Sequence, residues 1–71
     1  MVLREFYDVL VAGKSGDGVV FTRNDGQVFE GKVTSLEEFD ESEAMLVSFS
    51  LGEGNDEEPF FLSEIHDVRP L

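Results

Sequence analysis

The stretch Val19-Val-Phe-Thr-Arg-Asn-Asp-Gly-Gln-Val-Phe-Glu-Gly-Lys-Val-Thr-Ser-Leu36 decides the fold. At its centre, residues 24–26 are of the types that adopt the positive φ angles of a tight turn. Apolar and polar residues alternate after this turn, as they do in a strand with one face buried. The pattern predicts an antiparallel hairpin of strands 19–22 and 27–36. Gly31, inside the second strand, predicts a bulge or sharp bend that lets a short sheet wrap on itself.

The other elements follow from changes in hydrophobic period along the chain. Apolar residues recur at helical spacing over residues 2–12, which predicts a short amphipathic helix that ends at Gly13 in the left-handed conformation. The β-branched Val9 and Val11 also suit a strand, and that alternative stays open. Further strands are predicted over residues 44–51, 60–62 and 65–68, joined by polar segments over residues 14–18, 37–43 and 52–59.

The length of 71 residues allows one domain, because a chain near this size buries only about 60% of the surface that its unfolded form exposes. We therefore predict a single, mainly β domain over residues 1–71. It is a small, strongly bent antiparallel barrel of about five strands with a short N-terminal helix. The predicted core consists of Leu3, Phe6, Leu10, Phe21, Val28, Val33, Leu46, Val47, Phe49, Leu62, Ile65 and Val68.

Two segments carry a resemblance to a known family. The run Asp25-Gly-Gln-Val-Phe-Glu-Gly-Lys-Val33, followed by Asp40 and an apolar strand, resembles the first motif of the Sm and Sm-like family. The run Phe60-Phe-Leu-Ser-Glu-Ile65 stands where the second motif lies. A helix followed by about five bent strands is also the element order of that family. The resemblance implies an Sm-like or SH3-like barrel, and a ring or pair of subunits.

The groups with which the family binds uridine do not carry over to this chain. The family uses an Asn after the first motif's Asp and an Arg-Gly pair in the second motif. Here Asp40-Glu-Ser-Glu-Ala44 contains no Asn, and Phe61-Leu62 stand in place of Arg-Gly. The resemblance thus implies the fold without the RNA ligand. A few small acidic Sm-like proteins instead inhibit RNA-binding proteins by occupying their basic sites, and the charge distribution is compatible with that role.

Charge is the most unusual global feature of the sequence. The formal net charge is −11, and residues 37–71 hold eleven Asp and Glu residues against Arg69 alone, a net charge of −10. Such a surface repels phosphate backbones and attracts basic proteins, so nucleic acid is not the expected partner. A solvated acidic face that only keeps the protein in solution is the alternative interpretation.

These observations favour a non-enzymatic interaction or regulatory module that docks on a basic protein surface. The alternative is an Sm-like RNA-binding ring in which Arg23 and Lys32 face the ligand. Phe60 and Phe61 are adjacent, so they point to opposite faces of a strand. We expect one to fill the core and the other to cover the helix or to anchor a partner. The predicted partner-binding residues are Glu37, Glu38, Phe39, Asp40, Glu41, Asp56, Glu57, Glu58 and Phe61.

The composition argues against several classes of site. The chain has no cysteine and one histidine, His66, so the parts of a zinc site or a catalytic triad are missing, and no cofactor is expected. The carboxylates lie in segments expected to be exposed, whereas acid–base catalysis needs a sheltered pair. The acidic segments also lack the spacing of a calcium-binding loop. No membrane span or secretory leader is visible, and we expect a cytoplasmic location.

Self-association is a further expectation from the sequence. Residues 44–51 carry no charge, which is unusual for the exposed edge of a sheet. Such a strand should be central in the sheet or paired with another subunit. We therefore predict a homo-oligomer formed by strand pairing, which salt strengthens because it screens the repulsion between acidic chains.

Overall fold

The computed structural model describes residues 3–53 and 56–71. Within them the chain forms one α-helix, five antiparallel strands and two short 3-10 helices, in the order α1 Leu3–Ser15, β1 Val19–Arg23, β2 Val28–Leu36, η1 Glu41–Leu46, β3 Ser48–Glu53, β4 Asp56–Phe61, η2 Leu62–Glu64 and β5 Ile65–Pro70. The mainly β fold with an N-terminal helix is therefore confirmed. No helix in this part of the chain has the length and apolar character that crossing a membrane requires.

The β1–β2 hairpin forms as its turn residues predict. Arg23 N donates to Gln27 O at 2.8 Å, and the Asp25 carboxylate accepts from Gln27 N at 3.0 Å. Gly26 has a φ of 90°, a conformation that costs glycine little because it has no Cβ. Phe21 and Phe29 are cross-strand partners in the resulting register.

The helix α1 buries Phe6 and Leu10 and continues through Gly13 to Ser15. The predicted end at Gly13 is wrong, because the glycines with positive φ in the described residues are Gly18 and Gly26. Gly13 has a packing role instead. A Cβ at that position would lie 2.5 Å from Cγ1 of the buried Val19, so only glycine lets β1 approach the helix this closely.

The sheet has the strand order β4-β3-β2-β1-β5 and is not closed by hydrogen bonds. The nine-residue strand β2 serves both halves, because its first residues pair with β1 and its last residues pair with β3. The register shift lies between Val33 and Ser35, which places the bulge at Thr34 rather than at Gly31. A second shift leaves His66 of β5 without a partner on β1, and its side chain is exposed. β3, which holds residues 48–51 of the uncharged segment 44–51, lies between β4 and β2 and is not an edge strand, one of the two outcomes expected for that segment.

The bounds of β3 and β4 differ most from the predicted ones. Residues 44–46 belong to η1, so the strand predicted over residues 44–51 begins only at Ser48. Residues 52–59 were expected to be a loop, but β3 extends to Glu53 and β4 begins at Asp56. Hydrophobic alternation does not predict β4, because this edge strand is held by backbone hydrogen bonds and carries charged side chains, as edge strands commonly do.

The core lies between α1 and the concave face of the sheet, and it contains most of the predicted residues. Val28 and Leu46 are exceptions, with 62% and 61% of their surface exposed. Val28 lies on the outer face of β2, opposite Phe29, and Leu46 belongs to η1, where strand alternation does not apply. Leu3 is half-buried against the core. The prediction missed three buried residues, Val19, Leu51 and Phe60.

Four phenylalanines form the centre of this core. Phe21 contacts the other three rings, with centroid separations of 5.8 Å to Phe29, 5.4 Å to Phe49 and 4.9 Å to Phe60. These rings come from all four strands β1 to β4, so the cluster ties the two halves of the bent sheet together.

Candidate functional site

The first acidic segment, residues 37–43, lies beside the start of β3 at Ser48. Glu37 N donates to Ser48 O at 2.9 Å, and the Ser48 hydroxyl donates to Glu37 Oε1 at 2.7 Å. Both bonds hold the Glu37 carboxylate on the outer face of β3. Glu38, Glu41 and Glu43 are exposed and line a shallow depression beside it.

Asp40 has a structural role at the start of η1. Its Oδ1 accepts from the Ser42 hydroxyl at 2.7 Å and from Ser42 N at 3.0 Å. These bonds lower the pKa of Asp40, the hydroxyl being the larger cause and the backbone N–H the second. The carboxylate is therefore ionised at neutral pH and caps the first turn of η1.

Phe39 fixes the same segment to the helix and does not project as an anchor. Its ring lies 5.2 Å from the ring of Tyr7, and the Arg4 guanidinium lies 5.1 Å from its centroid. Phe39 is half-buried and packs against the core. Arg4 also pairs with Asp8 of the helix at 3.4 Å. Residues 37–41 are thus held at both sides, by β3 and by α1.

The second acidic segment lies elsewhere, on β4. Asp56, Glu57 and Glu58 are exposed and line an open groove of about 860 Å³, to which Asp17 and Glu30 also contribute. Asp56 pairs with Glu53, at the opposite end of the β3–β4 hairpin from Phe61. At about 3.3 Å per residue, Asp56 and Phe61 are about 17 Å apart along the strand. The predicted residues therefore form two separate groups.

Phe61 is the exposed member of the aromatic pair, since 46% of its surface is accessible against 3% for Phe60. It pairs across the strands with Ser48, the residue that binds Glu37. Phe61 N donates to Glu64 Oε2 at 2.9 Å. Two carboxylates held by hydrogen bonds therefore lie near Phe61, that of Glu64 at its own backbone N and that of Glu37 on its cross-strand partner Ser48.

Phe61 and Glu37 are among the predicted binding residues, whereas three residues near them are not. Glu64 was overlooked, although a Glu three residues after the start of a short helix is a recognised capping signal. Met45 and Leu46 were assigned to a strand, yet both are 61% exposed at the end of η1. No local signal marks them as surface residues, because the sequence around them alternates as a strand would.

The positive charges are mostly engaged locally. Arg23 pairs with Asp25 at 2.6 Å and lies over the ring of Phe29 at 5.1 Å. The hydrogen bond with Asp25 is the largest cause of the raised pKa of Arg23, and it lowers the pKa of Asp25 in turn. Arg69 pairs with Asp67 at 2.9 Å. Among residues 3–53 and 56–71, no ion pair involves the acidic segments 37–43 and 56–58.

The described residues also contain no group of three His, Cys, Asp or Glu side chains placed to hold a metal ion. The arrangement offers carboxylates and exposed apolar side chains, which suit binding of a cationic partner. Comparisons with protein-family models, with curated proteins and with solved structures find no match to this chain.

Proposed function

We propose that this protein is a non-enzymatic interaction or regulatory module that binds a basic protein surface. The observation that carries the proposal is the separation of charges. Three of the five cationic side chains pair with carboxylates two to four residues away in the chain, whereas the segments 37–43 and 56–58 make no ion pair in the described structure. Their negative field is therefore directed to the solvent, where it attracts a positively charged partner.

The hydrogen bonds of the first segment support the same proposal. Glu37 and Asp40 are oriented by Ser48 and Ser42, so part of the acidic surface has its geometry before a partner arrives. Groups that are ordered in advance lose less conformational entropy when they bind. A cytoplasmic location belongs to the proposal, because small domains in oxidising compartments commonly depend on disulfides and this chain has no cysteine.

The test is a binding titration with a defined basic probe, a flexible peptide of Lys and Ser, followed by fluorescence anisotropy. We expect binding at about 50 mM salt that weakens strongly at about 500 mM, because the interaction is between exposed charges. The variant Glu38→Gln/Glu41→Gln removes two charges from the first segment. The matched control Glu5→Gln/Asp67→Asn removes two charges on α1 and β5, outside both acidic segments and the groove.

The first variant should bind the peptide a few-fold more weakly, at about 0.3–0.5 kcal/mol for each exposed charge, and the control should bind nearly as the native protein does. Failure of the native protein to bind the basic peptide at low salt would contradict the proposal. A pull-down from the native host should return a basic protein.

An Sm-like RNA-binding ring is the second candidate. A helix followed by five antiparallel strands, the element order on which the resemblance rests, supports it. The engagement of Arg23 by Asp25 and by the ring of Phe29 weighs against it, because few cations remain for phosphates. Binding of oligouridine that weakens with rising salt would favour this candidate over the first.

A further inference from the structure

An exposed apolar patch lies at the end of the sheet where η1 and η2 are in contact. It consists of Met45, Leu46 and Phe61, which are 61%, 61% and 46% exposed. Val47, the residue after Leu46, accepts a hydrogen bond at 2.9 Å from N of Leu62, the residue after Phe61. The three residues therefore lie within two positions of one backbone hydrogen bond, and we infer that their exposed side chains share one region of the surface. Exposed apolar side chains grouped in this way commonly mark an interaction site.

Carboxylates border this patch in fixed positions. Glu37 is held through the Ser48 hydroxyl at 2.7 Å, and Ser48 is the cross-strand partner of Phe61. Glu64 accepts from Phe61 N itself at 2.9 Å. Each carboxylate uses one oxygen in its hydrogen bond and has a second oxygen with which to bind a cation. The patch thus combines an apolar centre with a negative border.

The β4 edge beside the patch offers little to a partner strand. Because Leu62 N bonds to Val47 O, alternation directs the backbone groups of Phe61, Pro59 and Glu57 away from β3. Proline has no N–H to donate, and the N–H of Phe61 is already bonded to Glu64. Among these three outward positions, only Glu57 has a backbone N–H available to a partner strand. A partner at this site must therefore be held by side chains and not by strand addition.

We propose that the patch binds a basic amphipathic segment of a partner protein. An apolar residue of that segment packs on Phe61, Met45 and Leu46, and its Lys or Arg side chains pair with Glu37 and Glu64. The inference rests on the proposed function and specifies the class of partner. Charge complementarity selects this occupant, because the negative border disfavours an acidic or neutral apolar segment.

The experiment compares two peptides of equal length and charge at about 150 mM salt. One is an amphipathic helix-former of Lys, Leu and Ala, and the other replaces every Leu by Ser. The native protein should bind the Leu peptide at least about tenfold more tightly, which is the effect of one buried anchor of about 1.4 kcal/mol. Phe61→Ser should remove that preference.

Val28→Ser provides the control, because Val28 is also apolar and is 62% exposed on the outer face of β2, outside the patch. It should leave the preference for the Leu peptide unchanged. Met45→Ser is a second variant of the patch and should also lower the preference for the Leu peptide. It serves as the test if circular dichroism shows that Phe61→Ser impairs folding. Glu64→Gln keeps an oxygen for the Phe61 N–H but removes the charge, so it should weaken both peptides a few-fold.

The outcomes separate the two proposals. If the native protein binds both peptides equally, and neither Phe61→Ser nor Met45→Ser changes binding, the patch has no role while the acidic surface still binds cations. If neither peptide binds at low salt, the proposed function itself fails. If Pro59→Val, which restores an outward N–H on β4, tightens binding of the Leu peptide by tenfold or more, the partner adds as a strand and the side-chain mode is wrong.

Discussion

The contact between Gly13 and Val19 predicts that adding one methyl group destabilises the protein. In an unconstrained helix, Gly13→Ala should stabilise by about 1 kcal/mol, because Ala loses less backbone entropy. Here the new Cβ would lie 2.5 Å from Val19 Cγ1 and 3.4 Å from Val33 Cγ2. Val19 is fully buried and β-branched, so it has little room to rotate away.

Overpacking of this kind costs about 1–3 kcal/mol. After subtraction of the helix-propensity gain, we expect Gly13→Ala to lower the free energy of unfolding by about 1 kcal/mol. That is a measurable fraction of a total on the order of 4–10 kcal/mol for a chain of this length. Urea unfolding followed by far-UV circular dichroism measures it, with the m-value confirming two-state behaviour.

A double-mutant cycle with Val19→Ala identifies the cause. Val19→Ala alone should cost about 2 kcal/mol, since it removes two buried methyl groups. In the Gly13→Ala background it also relieves the clash, so its cost should fall by about 1 kcal/mol or more. Additivity within about 0.5 kcal/mol, or a Gly13→Ala variant more stable than the native protein, would refute the packing argument. If Gly13 instead ended the helix in the left-handed conformation, Gly13→Ala would destabilise the protein by an amount that simply adds to the cost of Val19→Ala.

Three further predictions concern the edges, the cap of η1 and the charge. The double variant Pro59→Val/Pro70→Val restores an outward N–H on each edge strand, so light scattering should show tighter self-association than in the native protein. Strand pairing of the native protein itself stays a prediction. An unchanged particle size in the double variant would contradict the role of the two prolines in protecting the edges. Because its folded pKa is lowered from 3.8, Asp40 contributes stability above that pH and loses it as the pH falls through the folded pKa. Thermal melts should therefore show a deficit for Asp40→Ala at pH 7 that shrinks near pH 2 (both chosen about that window), and an equal deficit at both would be inconsistent. Finally, added NaCl should raise the melting temperature, because it screens a net charge of −11; a decrease would argue against repulsion as a major cost.

The site was predictable in composition and only partly in arrangement. The sequence identified Phe61 and Glu37 as candidates, but it grouped them with Asp56 to Glu58, which lie at the other end of β4. Phe39 looked like the apolar member of an exposed acidic loop. In the structure it covers the helix beside Tyr7, and no periodicity in residues 37–43 predicts that contact.

Local physical chemistry determined several features from the sequence alone. The Asn24-Asp-Gly26 turn specifies its hairpin, helical spacing places Phe6 and Leu10 on one face of α1, and alternation buries Phe49 in β3. Each of these depends on residues within a few positions of one another, where the backbone period decides which side chains share a face. The concentration of negative charge likewise needs no fold to be recognised.

The tertiary structure decided the features that depend on residues far apart in the chain. Position 13 of the helix needs glycine because the Val19 side chain of β1 packs against it, and the polar strand β4 forms because β3 offers it a row of backbone partners. Glu37 comes near Phe61 because the β3–β4 register places Ser48, to which Glu37 is bonded, opposite Phe61. Register is a property of paired strands, and a single segment of sequence therefore cannot specify which distant side chains become neighbours.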